Sequence, residues 1–521
     1  MLYFCLQEFS SCPTNGVDTY FRLFGGDTEV ASNDDFCGFS SYISYEVPGG
    51  ASDCDEFCLH MGCYGSDSCT TTVTGTYSYP ESTSVHPADG APRLLYYARN
   101  ASTASYTVPS VSIAGITVSG AGNAGFLGGA LFFEGSVFLS LSDVNLVHGQ
   151  ALAGGGIYVD ASSQGVKLQG CSFSDNNATY GGGVYFAGSV PYFELSDSQF
   201  SNCWATSAGG GVFIDDSNDY GTILGSEFVN CSATFGGAIN LEKNNDYFVV
   251  SNVTADSCTA SLSGGFLYAE EYNDYLTASA ITVKSCKAGA SGGGVFLNTA
   301  NTYATITDST VAGCSAGGGY GGGVALTSGN DHITLTAVSI SDCSVTGSGG
   351  ALSMFSSNDN SSMISVSISD CSATGSGGGM FFSEGNNGCS LSSVEVERCS
   401  AADGGGIHLA NSNNGASFAG VTINKCSARN TGGGINFVSS NSYGAVTNCS
   451  IEDCSASEGA GFGVGSDNDY LTITALTISG CDAGVQGGGG YINELNDYLS
   501  VIDSVVERCS ASTGGGFSLV S

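Results

Sequence analysis

Basic residues are scarce in this chain. Eleven Lys and Arg stand against 48 Asp and Glu in 521 residues, a formal net charge of −37. Such a field repels nucleic acid and anionic membranes, so no nucleic-acid partner is expected, and it favours divalent cations or polycationic partners. Proline is down to 7, and the 79 glycines follow no Gly-X-Y period, which excludes collagen. No apolar run approaches about 18 residues, so no membrane-inserting helix is expected. Only Leu2-Tyr3-Phe4-Cys5-Leu6 separates Met1 from Gln7 and Glu8. That is too short and too uncharged for a good signal peptide. The repeat described below stops in mid-unit at Gly514–Ser518, so both termini are expected to be incomplete.

Hydrophobic residues make up 42% of the chain and alternate regularly, which argues against disorder. The 22 cysteines point to an oxidising compartment. Asn-X-Ser/Thr sequons at Asn100, Asn177, Asn230, Asn252, Asn360 and Asn448 agree with secretion. The expected location is extracellular or at the cell surface, as a glycoprotein.

A Gly-Gly-X signal recurs from 156 to 516 in steps of about 28 residues. In one unit, Gly236-Gly237-Ala238 opens Ile239-Asn240-Leu241, Asn245-Asp246-Tyr247 makes a turn, and apolar residues at spacing two lead to Cys258. Spacing of two means strands. Each unit is read as about three short strands, unable to bury an apolar face alone. Stacking solves this by pairing each strand with its counterpart in the next coil. The predicted fold is an all-β, right-handed single-stranded parallel β-helix of about fifteen coils over residues 91–521, right-handedness being the usual hand of parallel connections. A cysteine-rich segment, 1–90, precedes it. Its seven cysteines (Cys5, Cys12, Cys37, Cys54, Cys58, Cys63, Cys69) suit a disulfide-stapled module that caps the open solenoid end or binds a ligand.

Stacking turns sequence positions into columns. Cys171, Cys203, Cys231, Cys258, Cys286, Cys314, Cys343 and their successors to Cys509 form one. It reads as buried small thiols, as adjacent disulfides, or as metal or redox chemistry; parallel spacing of about 4.8 Å fits a disulfide poorly. Asn218, Asn245, Asn273, Asn301, Asn330 and their successors to Asn496 form an amide ladder. Carboxylates at Asp215, Asp219, Glu242, Asp246, Glu270 and Asp274 form an acidic patch, read either as a solvated face or as a metal site. Calcium is the cofactor such oxygens would take, and none is required. Tyr220, Tyr247 and Tyr275 begin an aromatic column suited to a flat ligand. No catalytic residue is assigned. The five histidines lie far apart, and the glycine triplets are turns rather than a phosphate loop.

Gly236-Gly237-Ala238-Ile239 and Gly209-Gly210-Gly211-Val212 resemble repeats of polymorphic outer-membrane proteins within the pectin-lyase-like β-helix superfamily. The partner motif Phe-x-x-Asn occurs as Phe173-Ser174-Asp175-Asn176, and Phe200-Ser201-Asn202 and Phe228-Val229-Asn230 fall one residue short. The resemblance implies a surface-exposed, adhesin-like solenoid. The first expectation is therefore a non-enzymatic rigid or adhesive scaffold whose partner is a glycan or a surface protein. The alternative is a polysaccharide-active or glycan-binding β-helix using carboxylates near residues 215–274. A lattice-binding face would need Thr columns, and Thr looks scattered in the sequence.

Overall fold

The computed structural model describes residues 110–520, except 121, 123–124, 134–137 and 162, together with eight short strands before residue 110. No helix occurs among them. The chain is a right-handed parallel β-solenoid of about 14 turns of about 28 residues. It divides into two compact units, Met1–Ala233 and Thr234–Ser521.

The first unit opens with antiparallel pairing. Thr19–Gly25 lies between Thr28–Asn33 and Phe57–Cys63, and Glu8–Ser10 lies between Tyr42–Ile43 and Thr74–Thr76. Thr70–Thr72 then pairs in parallel with Ser110–Ala114, and Leu95–Tyr97 with Leu131–Phe133. The cysteine-rich segment thus supplies a strand to the solenoid ladder. Its expected disulfide framework lies outside the described residues. Further on, Phe173, Phe200 and Phe228 stack down the interior at centroid spacings of 4.5 and 4.7 Å.

In the second unit each coil has four strands where the sequence suggests about three. One coil contains Leu267–Glu271, Thr277–Ser279, Thr282–Lys284 and Lys287–Ala288. Each pairs in register with the next coil, Leu267 with Val295, Thr277 with Thr305, Thr282 with Thr310 and Lys287 with Ser315. The fourth strand is often a bare Ser-Ala pair, too short for alternation to reveal it. Alternation is plain elsewhere: Val283 is fully buried between outward Thr282 and Lys284. The inward column Val283, Val311, Ile340, Ile368, Val396, Ile423 is buried throughout, and each such side chain contributes about 1.5–3 kcal/mol.

The coil turns at five left-handed residues: Tyr272, Tyr275, Ala280, Ser285 and Gly292. The glycine pair is fixed by two different demands. Gly292 has φ +62°, and a Cβ on Gly293 would meet the carbonyl oxygen of Gly322 at 2.2 Å. Backbones of successive coils touch there, which is why the signal recurs.

Candidate functional site

The asparagine column is a buried hydrogen-bond ladder. Asn273 Oδ1 accepts the backbone N–H of Asn245 at 3.0 Å and its Nδ2 at 3.1 Å. The same pair of contacts joins Asn273 to Asn301, Asn301 to Asn330, and so on to Asn441 and Asn468. In the first unit, Asn218 Oδ1 accepts the amide of Val190 at 2.8 Å, and its Nδ2 donates to the Asp215 carbonyl at 2.7 Å. The left-handed residue is the one before each Asn, such as Asn244 or Tyr272, and not the Asn itself.

The aspartates beside it bond in the opposite direction along the axis. Asp246 Oδ1 accepts the amide of Asp274 one coil later, at 3.0 Å. Asp274 Oδ1 accepts both N–H and Oγ1–H of Thr302, at 2.8 and 2.7 Å. Asp331 Oδ1 accepts the amide of Asp359, and Asp469 Oδ1 that of Asp497. These carboxylates cap backbone amides while remaining half-buried at the surface.

The acidic patch falls in both units. In the first, Asp215 Oδ2 accepts the Tyr185 hydroxyl at 2.6 Å, and Asp219 is half-buried. In the second, Lys243 stands opposite Glu271, which makes Glu242 and Glu270 neighbours on adjacent coils at about the strand spacing of 4.8 Å. Lys243 Nζ lies 3.4 Å from Glu271, and that bond, helped by Glu270, raises the affinity of Lys243 for its proton. Among the described residues no three or more His, Cys, Asp or Glu side chains are grouped as a metal ion needs.

The tyrosine column is exposed but self-stacked. Tyr247 and Tyr275 lie 4.7 Å apart at 2°, Tyr275 and Tyr303 5.0 Å apart at 7°, and Tyr303 and His332 4.7 Å apart at 8°. Tyr220 stacks on Tyr192 in the first unit. Ring faces are therefore turned toward one another, and edges and hydroxyls face outward. The column breaks at Asn360, Gly388 and Gly415 and resumes at Tyr443, Tyr470 and Tyr498. The Tyr443 ring, next to Gly415, is 66% exposed against 44% for Tyr470.

All fifteen cysteines among the described residues carry free thiols. In the second unit Cys258, Cys286, Cys314 and Cys343 begin a column that runs to Cys509, with every member before Cys509 fully buried. Each sits just after the left-handed residue that joins the third and fourth strands. Cys231 holds the equivalent corner in the first unit. Cys171 does not belong to this column. Its amide donates to Ser198 Oγ, and the Ser198 amide to Ser226 Oγ, which places Cys171 one corner earlier. The 32-residue gap from Cys171 to Cys203 was the signal. The corner before Cys203 is filled by Asn176, whose Oδ1 accepts the Gly149 amide at 2.7 Å. The Phe-x-x-Asn motif and the cysteine column are thus one feature: Phe173-x-x-Asn176 is followed by Phe200-x-x-Cys203 and Phe228-x-x-Cys231.

Two further features escape sequence reading. The second strands of successive coils align Thr277, Thr305 and Thr334, and beside them Ser279, Thr307 and Thr336. Thr305 Oγ1 donates to Thr277 Oγ1 at 3.3 Å. From Thr277 to Ala419 these strands carry no charged residue. Thr is therefore columnar rather than scattered; the 28- and 29-residue steps hide it. The second feature is His408, 5% exposed, stacked on Phe381 at 5.5 Å and 3.4 Å from Asn436 Nδ2 through Nδ1. Burial pushes its pKa down to about 4, against an opposing pull from Asp403.

These coils, corners and inward columns define a right-handed parallel β-helix. Residues 155–337 match the family model described as a right handed beta helix region. No curated protein matches the chain. Among solved structures, the chain is similar to the catalytic domain of a GH87 alpha-1,3-glucanase in complex with tetrasaccharides. That match has 10% identity and a TM-score of 0.32 and covers 98% of this chain and 90% of that one. It is also similar to the Dettilon tailspike protein, at 11% identity, TM-score 0.23 and 77% and 62% coverage. A third is the catalytic unit of a thermostable GH87 alpha-1,3-glucanase from Streptomyces thermodiastaticus, at 11%, 0.18, and 98% and 88%. Likeness at this level concerns the fold alone.

Proposed function

We propose that this chain is a non-enzymatic extracellular or cell-surface scaffold, a stiff solenoid that adheres through its regular faces to a glycan or a surface protein. One observation carries the reading: the polar columns close onto neighbouring coils. Asn273 and Asn301 cap backbone amides in one direction, and Asp246 and Asp274 do so in the other. Groups engaged in this way hold the coil rather than turn over a substrate. The uncharged Ser/Thr face from Thr277 to Ala419 supplies the adhesive surface, regular because its strands pair without a register shift. The charge of −37 and the sequons support an extracellular setting.

The alternative is a polysaccharide-cleaving β-helix, and the pair Glu242 and Glu270 favours it. The two residues stand on paired strands at about the strand spacing of 4.8 Å, and retaining glycosidases use carboxyls about 5 Å apart. The test is incubation of the purified chain with a polysaccharide panel, following reducing ends and unsaturated products. The scaffold reading expects retention on one or more polysaccharides without turnover. Cleavage that disappears in Glu242→Gln or Glu270→Gln overturns it.

A further inference from the structure

One sequon stands where the tyrosine column of the second unit is broken. The same backbone bond repeats through the break: His332 N–H donates to the Asp359 carbonyl, Asn360 N–H to that of Asn387, Gly388 N–H to Asn414, Gly415 N–H to Ser442 and Tyr443 N–H to Asp469. Asn360, Gly388 and Gly415 therefore hold the positions that rings hold elsewhere. Tyrosine adopts this left-handed corner in other coils, so the backbone does not demand the two glycines. A Cβ on Gly388 would meet Asn360 Oδ1 at 2.7 Å, and one on Gly415 would meet only the Gly388 backbone, at 3.9 and 4.0 Å. The Asn360 amide thus leans over Gly388, and beyond it the column is bare as far as the Tyr443 ring. The flanking columns change over the same coils. On one side Asp331 and Asp359 give way to Asn387, Asn414 and Ser442 before Asp469 restores the charge. On the other stand the neutral strand residues Ser362, Ser390 and Ser417. The result is a neutral shelf bordered by hydroxyls and amides, with an asparagine at one end and an aromatic face at the other.

That asparagine opens the sequon Asn360-Ser361-Ser362. Asn360 is exposed and Ser362 half-buried. From Asn360 to Tyr443 is three coils, about 14 Å at about 4.8 Å per coil, a span that the inner sugars of an asparagine-linked chain cover. We infer that Asn360 carries an N-linked glycan whose inner sugars lie over Gly388 and Gly415 and stack on the open face of Tyr443. Occupancy requires the extracellular setting proposed above. Attachment precedes folding of the coil. Asn360 Nδ2 bonds to the anomeric carbon of an oligosaccharide carried on a lipid pyrophosphate, the anomeric C–O bond breaks, the lipid pyrophosphate leaves with the bonding pair, and Nδ2 gives up one proton. Folding then lays the sugars on the shelf. Chain made without the glycan leaves the Tyr443 face open to an added polysaccharide. The sequons at Asn252 and Asn448 are exposed at another corner, followed in their column by Ala280 and Ala475, and offer no ring.

Sequon occupancy is read by mass spectrometry on the full-length chain from its natural source. Tyr443 accessibility is read by hydroxyl-radical footprinting of the chain exported from a eukaryotic host behind an added leader. Asn360 is expected to carry sugar. Tyr443 is expected to label several-fold more strongly in Ser362→Ala, which keeps Asn360 but destroys the sequon, while Tyr275, with a ring on either face, labels equally in both. Trimming the folded wild-type chain enzymatically back to its first sugar should expose Tyr443 to the same extent, and this arm needs no variant to fold. Sugar on Asn252 or Asn448 but none on Asn360 overturns the inference and leaves the extracellular reading standing. Sugar on no sequon overturns both. An occupied Asn360 with equal Tyr443 labelling before and after trimming overturns the placement of the glycan on the shelf.

Discussion

Asn273 Oδ1 receives two hydrogen bonds from Asn245, one from its amide and one from its side chain, across a full coil of 28 residues. Every member of the ladder is thus acceptor for the coil before it and donor to the coil after it, all at 0–1% exposure from Asn245 to Asn468. Polar groups that are buried and fully paired specify register strongly. This explains how coils with short strands hold alignment.

Replacing a central rung should therefore be costly. Asn301→Ala leaves the Asn273 amide without its acceptor, while Nδ2 keeps the carbonyls of Glu242 and Glu271. A buried donor left unpaired costs about 1–3 kcal/mol, so a loss of about 2 kcal/mol is expected in denaturant unfolding. Contacts in a solenoid run only between neighbours. Hydrogen exchange should therefore rise in the coils flanking Asn301 first. Uniform loss of protection would show that the ladder acts globally.

His408 makes stability pH-dependent. Its folded pKa of about 4 lies below the ordinary 6.5 because burial between Phe381 and Asn436 disfavours the charged ring, and Asp403 offsets this only in part. The unfolded chain binds the proton first as pH falls. Stability from this group is complete above about 6.5, is lost between there and about 4, and is flat below. The span corresponds to about 3 kcal/mol. His408→Phe, which keeps the stack, should remove this slope from a pH series of melts. An unchanged slope would assign it to carboxylates instead.

Metal removal tests the aspartate column. Asp274 and Asp331 each use one carboxylate oxygen on an amide of the next coil. Chelation with EDTA is expected to leave the melting temperature within about 1 °C of that in calcium, less than the shift that 1 kcal/mol produces in a small domain. A stoichiometric calcium isotherm with a raised melting temperature would instead make Asp246 and Asp274 ligands.

The period, the inward columns and the Asn and Cys ladders are visible in the sequence because they repeat at one spacing. Three things are not. Cys171 joins the cysteine column by eye, but a serine-bonded corner separates it, and only coil-by-coil pairing shows that. The Ser-Ala strand is shorter than one alternation. The threonine face is disguised by Ser substitutions and by the 29-residue step from Thr305 to Thr334. Each miss concerns a feature defined by neighbours across the axis, which a linear reading compares poorly.

The tyrosine column gives the last prediction. Tyr275 has both faces turned to rings, Tyr247 on one side and Tyr303 on the other, so no sugar can lie flat on it. Tyr443 stacks on Tyr470 by one face only, with Gly415 where the other neighbour would be, and His332 ends the first run in the same way. Stacking of bound rings on aromatic faces is worth about 0.5–1.5 kcal/mol. Retention on a polysaccharide gel should accordingly weaken three- to tenfold in Tyr443→Ala and stay unchanged in Tyr275→Ala. Both positions are left-handed, at φ 61° and 60°, and Ala keeps the Cβ that strains such a position, so backbone effects are alike and cancel from the comparison. Equal loss at both would mean that the outward edges and hydroxyls, not the faces, meet the ligand.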